Sequence, residues 1–271
     1  MLWCRTFATA IWLFSPNLLA ADTVEALGLQ QASEIHRALT TRPDKRVARI
    51  WSGTEILCVI AQRDHADQVL NFISASNLAF QTEFNSVNVI THSACPSSTS
   101  FFILVEGNPT PERLSDVLED IHGTRPPPGF FMHGVWGGFS VTLPEIPARE
   151  FVFFNTLSHS VRSNPLPSVS IMLEEMLHSF TGLGDFPSNQ IYSLLGEDTD
   201  VVDHGHWYTK NPKGLCTVDL YLLEMAIEPN VRATAFRTTS LEWFSDHQEA
   251  IDSSVANAKL KLSDFLDPRC T

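Results

Sequence analysis

The sequence predicts an α+β (mixed α/β) domain: an N-terminal sheet with helices, then one central helix, then a C-terminal helical part. Three observations carry this. Short apolar runs alternate with helical periodicity over residues 46–156. That strand–helix–strand pattern feeds one helix, around Ile171 to Phe180. A hydrophobic content of 44% excludes a disordered chain.

Taken in order, residues 24–39 have helical spacing, with Val24, Leu27, Ile35 and Leu39 as core positions. Arg46 to Ile60 reads as two β segments about Ser52-Gly53. A helix is expected from Asp64 to Ser76, and a strand within Phe80 to Thr91. Phe101 to Val105 is a short buried strand. Pro111 to Ile121 is a helix introduced by Asn108-Pro109-Thr110-Pro111, because proline suits the first helical turn. Thr124 to Gly129 contains three prolines and is a loop. Phe139 to Leu143 and Phe151 to Thr156 are strands. Pro165 and Pro167 delay the central helix, and Ser168 or Ser170 caps it. Phe186 to Glu197 is a loop or short helical piece. Leu215 to Val231 is a helix capped near Thr217 and stopped by Pro229, and Asp246 to Leu262 is helical.

Residues 1–21 read as a signal peptide: Arg5, an apolar core from Phe7 to Phe14, and small residues for cleavage after Ala20 or Ala21. The apolar run is too short to span a bilayer, and no other run approaches that length. The expected mature protein is exported, to the periplasm or the extracellular medium, as a single domain over residues 22–271. The chain carries a formal net charge of −13, which argues against nucleic acid or an anionic membrane as main partner. An unknown peptide or protein is the expected partner.

Cys4 leaves with the leader, so Cys58, Cys95, Cys216 and Cys270 remain. Four cysteines in an exported chain read as two disulfides with three possible pairings. Cys58–Cys95 and Cys216–Cys270 are preferred: the first ties strands of the N-terminal half, and the second pins the tail to the last apolar helix. No pair has C-x-x-C spacing, which disfavours a cysteine-based metal site.

The chemistry centres on I-M-L-E-E-M-L-H-S-F-T-G-L-G-D, residues 171–185. Helical spacing gathers Met172, Leu173, Met176, Leu177 and Phe180 on one side, and Ile171, Glu174, Glu175 and His178 on the other. The stretch is an altered H-E-x-x-H pattern. In the intact pattern two histidines one turn apart hold zinc, and the intervening glutamate is the base. Here Glu174 stands in the first histidine position, Glu175 in the base position and His178 in the second histidine position. The plain alternative is a half-exposed amphipathic helix with a Glu174–His178 pair. Asp203-His204-Gly205-His206 adds two imidazoles downstream, which either complete a metal site or belong to an exposed polar loop.

Two segments resemble an exported bacterial family, domain of unknown function 2927. They are E-E-M-L-H with G-L-G-D, and L-C-T-V-D-L-Y-L-L-E-M-A-I-E-P-N-V. Asp219, Leu222, Leu223 and Pro229 fall on the family's second helix pattern. The likeness covers most of residues 46–232. Departures are His178 for the usual glutamine, Cys216 for threonine, and Ile227 and Asn230 for tyrosine and arginine. The family looks related to metzincin-type metalloproteases, so the resemblance implies a zincin-like fold more firmly than proteolysis. It also puts Asp185 near the metzincin third-ligand position.

Two functions follow as expectations. One is a degenerate zinc-dependent hydrolase or peptidase, with Zn²⁺ on Glu174, His178 and one or more of Asp185, His204 and His206, and with Glu175 as general base. The other is a non-catalytic exported binding or structural module that retains the scaffold.

Overall fold

The computed structural model describes residues 54–107, 109–127, 130–131, 138–143, 149–156, 168–182, 186–187, 193–197, 213–227 and 241–271. Its centre is a five-stranded sheet of β1 (Ile56–Ile60), β2 (Asn85–Val89), β3 (Phe101–Glu106), β4 (Gly138–Leu143) and β5 (Arg149–Asn155). The spatial order is β2-β1-β3-β5-β4. Neighbours from β2 to β5 pair in parallel, and β4 is an antiparallel edge strand on β5.

Both faces of the sheet are covered, which is why its central strands read as near-continuous apolar runs rather than as alternation. Leu57, Val59, Ile103, Val105, Val152 and Phe154 point to one face. Cys58, Ile60, Phe102, Leu104, Phe151 and Phe153 point to the other, as the two-residue repeat of a strand requires. The second face is closed by α2 (Pro111–His122) through Leu114, Val117 and Leu118. That helix begins as the sequence predicts: Pro111 lies in its first turn, and the Thr110 hydroxyl accepts the Arg113 amide at 3.2 Å.

The first face carries α1 (Arg63–Phe80), α3 (Ser168–Thr181), α4 (Thr217–Ile227) and α5 (Leu241–Lys261). Helix α1 runs four residues beyond the expected end at Ser76. Phe80 belongs to this helix, not to the following strand, because its ring is fully buried in the core. The turn after it is held by Asn77. Its amide oxygen accepts from Thr82 Oγ1 and Phe84 N, and its amide nitrogen donates to Phe84 O. Gln81 takes the left-handed conformation that ends the helix.

The expected strands near 101, 139 and 151 and the helices near 111, 171, 217 and 246 are all present. The stretch expected as a loop or short helix at 186–197 instead contributes a two-stranded parallel pair, β6 (Phe186–Pro187) and β7 (Gly196–Glu197). The expected elements at residues 24–39 and 46–52, and the leader, lie outside the described residues. Both preferred disulfides, Cys58–Cys95 and Cys216–Cys270, are formed. They point to an oxidising, extracytoplasmic environment. No helix among the described residues is long and apolar enough to cross a membrane.

Candidate functional site

Helix α3 lies between the β4–β5 side of the sheet and α4. Its apolar side packs as the periodicity predicts: Leu173, Met176, Leu177 and Phe180 are essentially inaccessible. Phe180 stacks on Phe84 at 5.5 Å and meets Phe101 edge-on at 5.4 Å, which pins the C-terminal end of the helix. The Gly182 amide closes the helix on the His178 carbonyl at 2.8 Å, and Gly182 has φ of 69°. Glycine is favoured there because residues with a Cβ adopt that conformation at a steric cost.

The opposite side departs from the half-exposed amphipathic alternative. Ile171 and Glu175 are buried, and only Glu174 and His178 are partly open among the four residues grouped there. The reason is the pair of neighbours: the sheet covers one flank of α3 and α4 the other, leaving a narrow strip. Glu174 and His178 are one turn apart on that strip, so their side chains share a face.

Glu175 is 8% exposed. It sits over the edge strand. A Cβ on Gly138 would lie 2.8 Å from Glu175 Cγ, 3.0 Å from its Oε1 and 2.6 Å from the Phe153 carbonyl oxygen. Gly138 is therefore the position that makes room for this carboxylate between α3 and β4. The stretch Met132-His133-Gly134-Val135-Trp136-Gly137-Gly138 reads from sequence as a binding loop or a turn leading into the next strand, and the specific need for Gly138 is not legible there.

Among the described residues, no three His, Cys, Asp or Glu side chains gather into a metal-sized group. Glu174 and His178 supply two donors of suitable chemistry. Asp185, His204 and His206 lie outside the described residues. The adjoining stems do have structure. Phe186, next to Asp185, pairs with Gly196 across β6–β7.

Asp219, matched only to the family pattern in the sequence, anchors this region. It is fully buried in α4, a helix whose every residue is buried. Its carboxylate accepts from Ser193 Oγ at 2.5 Å, Cys216 N at 2.8 Å and Leu194 N at 3.2 Å. Burial raises its pKa to about 6, and those three donors hold the rise in check. The bond to Cys216 N has the spacing of a capping box, residue N3 reaching back to the N-cap amide. The C-terminal tail completes the cap. Cys270 O accepts the Thr217 amide at 3.1 Å, and Leu215 bridges to Leu266. Gly214 allows the close approach, since a Cβ there would lie 2.6 Å from Phe265 O. Asp267 accepts the Lys213 amide and pairs with Arg269, which holds its pKa down at about 2.

A concavity of about 210 Å³ opens at the C-terminal ends of β3 and β5. Val69, Val105, Phe154 and Met172 form its apolar floor, and Asp64, His65, Gln68, Asn155 and Thr156 supply polar groups. The sequence reading did not find it, because its walls come from four separate elements.

Fold and site together define a disulfide-bonded, mixed α/β protein with a buried acidic helix against an antiparallel edge strand. No family model, curated protein or solved structure matches the chain.

Proposed function

We propose that this is an exported, zincin-like protein, periplasmic or extracellular, with a degenerate zinc site on α3. The observation that carries the reading is the Glu174–His178 strip, with Glu175 buried beside it against Gly138. The E-E-M-L-H stretch followed by G-L-G-D, and the later helix containing Asp219, support it through their likeness to domain of unknown function 2927. Zinc would be held by Glu174 and His178, with one or more of Asp185, His204 and His206. A bound zinc would supply Lewis-acid polarisation of a carbonyl and acidify water. The chain's own contribution is positional. Phe180 and Gly182 fix the last turn that bears His178, and the edge strand β4 confines Glu175, the general base of a hydrolase or peptidase. A carboxylate in the first-ligand position adds negative charge, so hydrolysis weaker than that of a three-histidine site is expected.

The test is zinc titration of the mature protein, wild type against His178→Ala, with elemental analysis of both. One equivalent bound by wild type and lost in His178→Ala is the expected result. Failure of wild type to bind zinc at neutral pH after metal-replete purification would remove the reading.

The concavity beneath Asp64 and Asn155 favours a second reading, an exported binding module without catalysis. It combines an apolar floor with several polar groups at the C-terminal ends of parallel strands, where open α/β sheets commonly take ligands. A protein that binds no zinc but loses ligand binding in Met172→Trp would fit this reading.

A further inference from the structure

We propose that the Cys216–Cys270 disulfide is a redox-modification site, the bond of the two that an extracytoplasmic dithiol opens first, and that opening it uncaps α4. The two disulfides share one feature: each joins a buried cysteine to a partly exposed one. Cys216 and Cys58 are buried, and Cys270 and Cys95 are partly open. An incoming thiolate therefore meets Cys270 or Cys95, and the leaving group is Cys216 or Cys58. Exchange is faster when the leaving thiol has the lower pKa.

The leaving groups differ. Cys58 lies within β1, on the face it shares with Ile60, Phe102 and Leu104. Apolar surroundings of that kind disfavour a thiolate. Cys216 is as deeply buried, in the apolar core of the opposite face, but it immediately precedes the eleven-residue α4, and its carbonyl accepts the Asp219 and Leu220 amides. It is thus the N-cap residue, at the positive end of the helix dipole, where a thiolate is stabilised. Three charged side chains stand at this junction. Asp219, which accepts the Cys216 amide, opposes the thiolate, and Asp267 does so less because Arg269 pairs with it.

The exchange balances with a dithiol as reductant. One of its thiolates attacks Sγ of Cys270, the bond to Cys216 breaks, and Cys216 leaves as thiolate and takes a proton from solvent. The second thiol of the reductant then displaces Cys270, leaving two protein thiols and an oxidised reductant. The structural consequence is local. Thr217 N donates to Cys270 O, and Leu215 pairs with Phe265 and Asp267 through the backbone. Loss of the covalent tie leaves this short tail contact and the Asp219 bond to the Cys216 amide to hold the N-terminus of α4. The Asp219 bonds to Ser193 and Leu194 stay within the body of the fold.

The experiment uses the oxidised mature protein without denaturant, exposed to graded dithiothreitol. Free thiols are trapped with a maleimide and mapped by mass spectrometry, with hydrogen exchange followed in parallel. Labelling of Cys216 and Cys270 before Cys58 and Cys95 is expected. Exchange at the Leu215–Val218 amides should rise about tenfold or more while β1, β3 and β5 stay protected. The proposal is overturned if Cys58 and Cys95 label first or together with the other pair. It is equally overturned if neither bond opens short of global unfolding, or if Cys216–Cys270 opens with no gain in exchange at Thr217.

Discussion

Ser193 donates its hydroxyl to the Asp219 carboxylate at 2.5 Å, joining the turn before β7 to the first turn of α4 across 26 residues. Two backbone amides from the same two segments meet that carboxylate as well. Asp219 therefore ties the Ser193–Leu194 segment to the N-terminus of α4 through one side chain. Desolvation is the cost, seen in a pKa near 6 against an ordinary value of 3.8.

A pH signature follows from that shift. Between 3.8 and about 6 the folded protein binds more protons at Asp219 than the unfolded chain does. The associated stability is fully present below pH 3.8 and is lost as pH rises through 6. Asp219→Asn removes the titration. Urea unfolding of both proteins from pH 4 to pH 7 should show the variant gaining on wild type as pH rises. Parallel profiles would refute the assignment. Asp267 acts with opposite sign in a lower window. Its pKa is held at about 2, so its contribution is present above pH 3.8 and lost as pH falls toward 2.

The two sides of α3 should respond unequally to truncation. Leu177 is 1% exposed, and Leu177→Ala should cost about 2–5 kcal/mol through lost burial and a residual cavity. His178, partly open on the other side, should cost much less in metal-free protein. Denaturant midpoints of the two variants check this. Equal, small losses would show that α3 is not packed against the sheet as described.

Gly138 gives a sharper test of where Glu175 sits. Replacing a strand glycine by alanine ordinarily helps by stiffening the unfolded chain, by about 0.4–1 kcal/mol. Here the new methyl group would meet the Phe153 carbonyl and the Glu175 side chain within 3.0 Å. Overpacking of this kind costs about 1–3 kcal/mol, so the clash should win. Gly138→Ala is expected to lower the melting temperature, and the double variant Gly138→Ala, Glu175→Ala should recover part of the loss. A neutral or stabilising Gly138→Ala would place Glu175 elsewhere.

The sheet and its helices were legible because apolar period and punctuation agree there. Pro111 starts α2, and the strands about Phe102 and Phe153 are apolar on both faces because helices cover both. The end of α1 was misplaced because Phe80 fits either period, and only the tertiary aromatic cluster assigns it to the helix. The site was legible in part. Spacing alone put Glu174 and His178 on one face of α3. It did not foresee the burial of Ile171 and Glu175, because a helical wheel counts one packing neighbour and α3 has two. Nor did it foresee Asp219 or Gly138, whose roles arise from contacts over long sequence separations.

The roles assigned to Glu174, Glu175 and His178 separate in one substitution. Glu175→Gln preserves shape and hydrogen-bonding capacity in a position that is 8% exposed, so the fold should be retained with little change in melting temperature. If Glu174 and His178 hold zinc, binding should also survive, because Glu175 is not among the ligands. A general base contributes about 10²–10⁴-fold to such a reaction, so any peptide hydrolysis shown by the zinc-loaded wild type should fall by that order. The three readings, melting temperature, zinc stoichiometry and hydrolysis of a peptide library, are taken on the same preparation. Unchanged hydrolysis in a folded, zinc-bound Glu175→Gln protein would deny Glu175 the role of base. Loss of zinc together with activity would instead make Glu175 a ligand and the Glu174–His178 assignment incorrect.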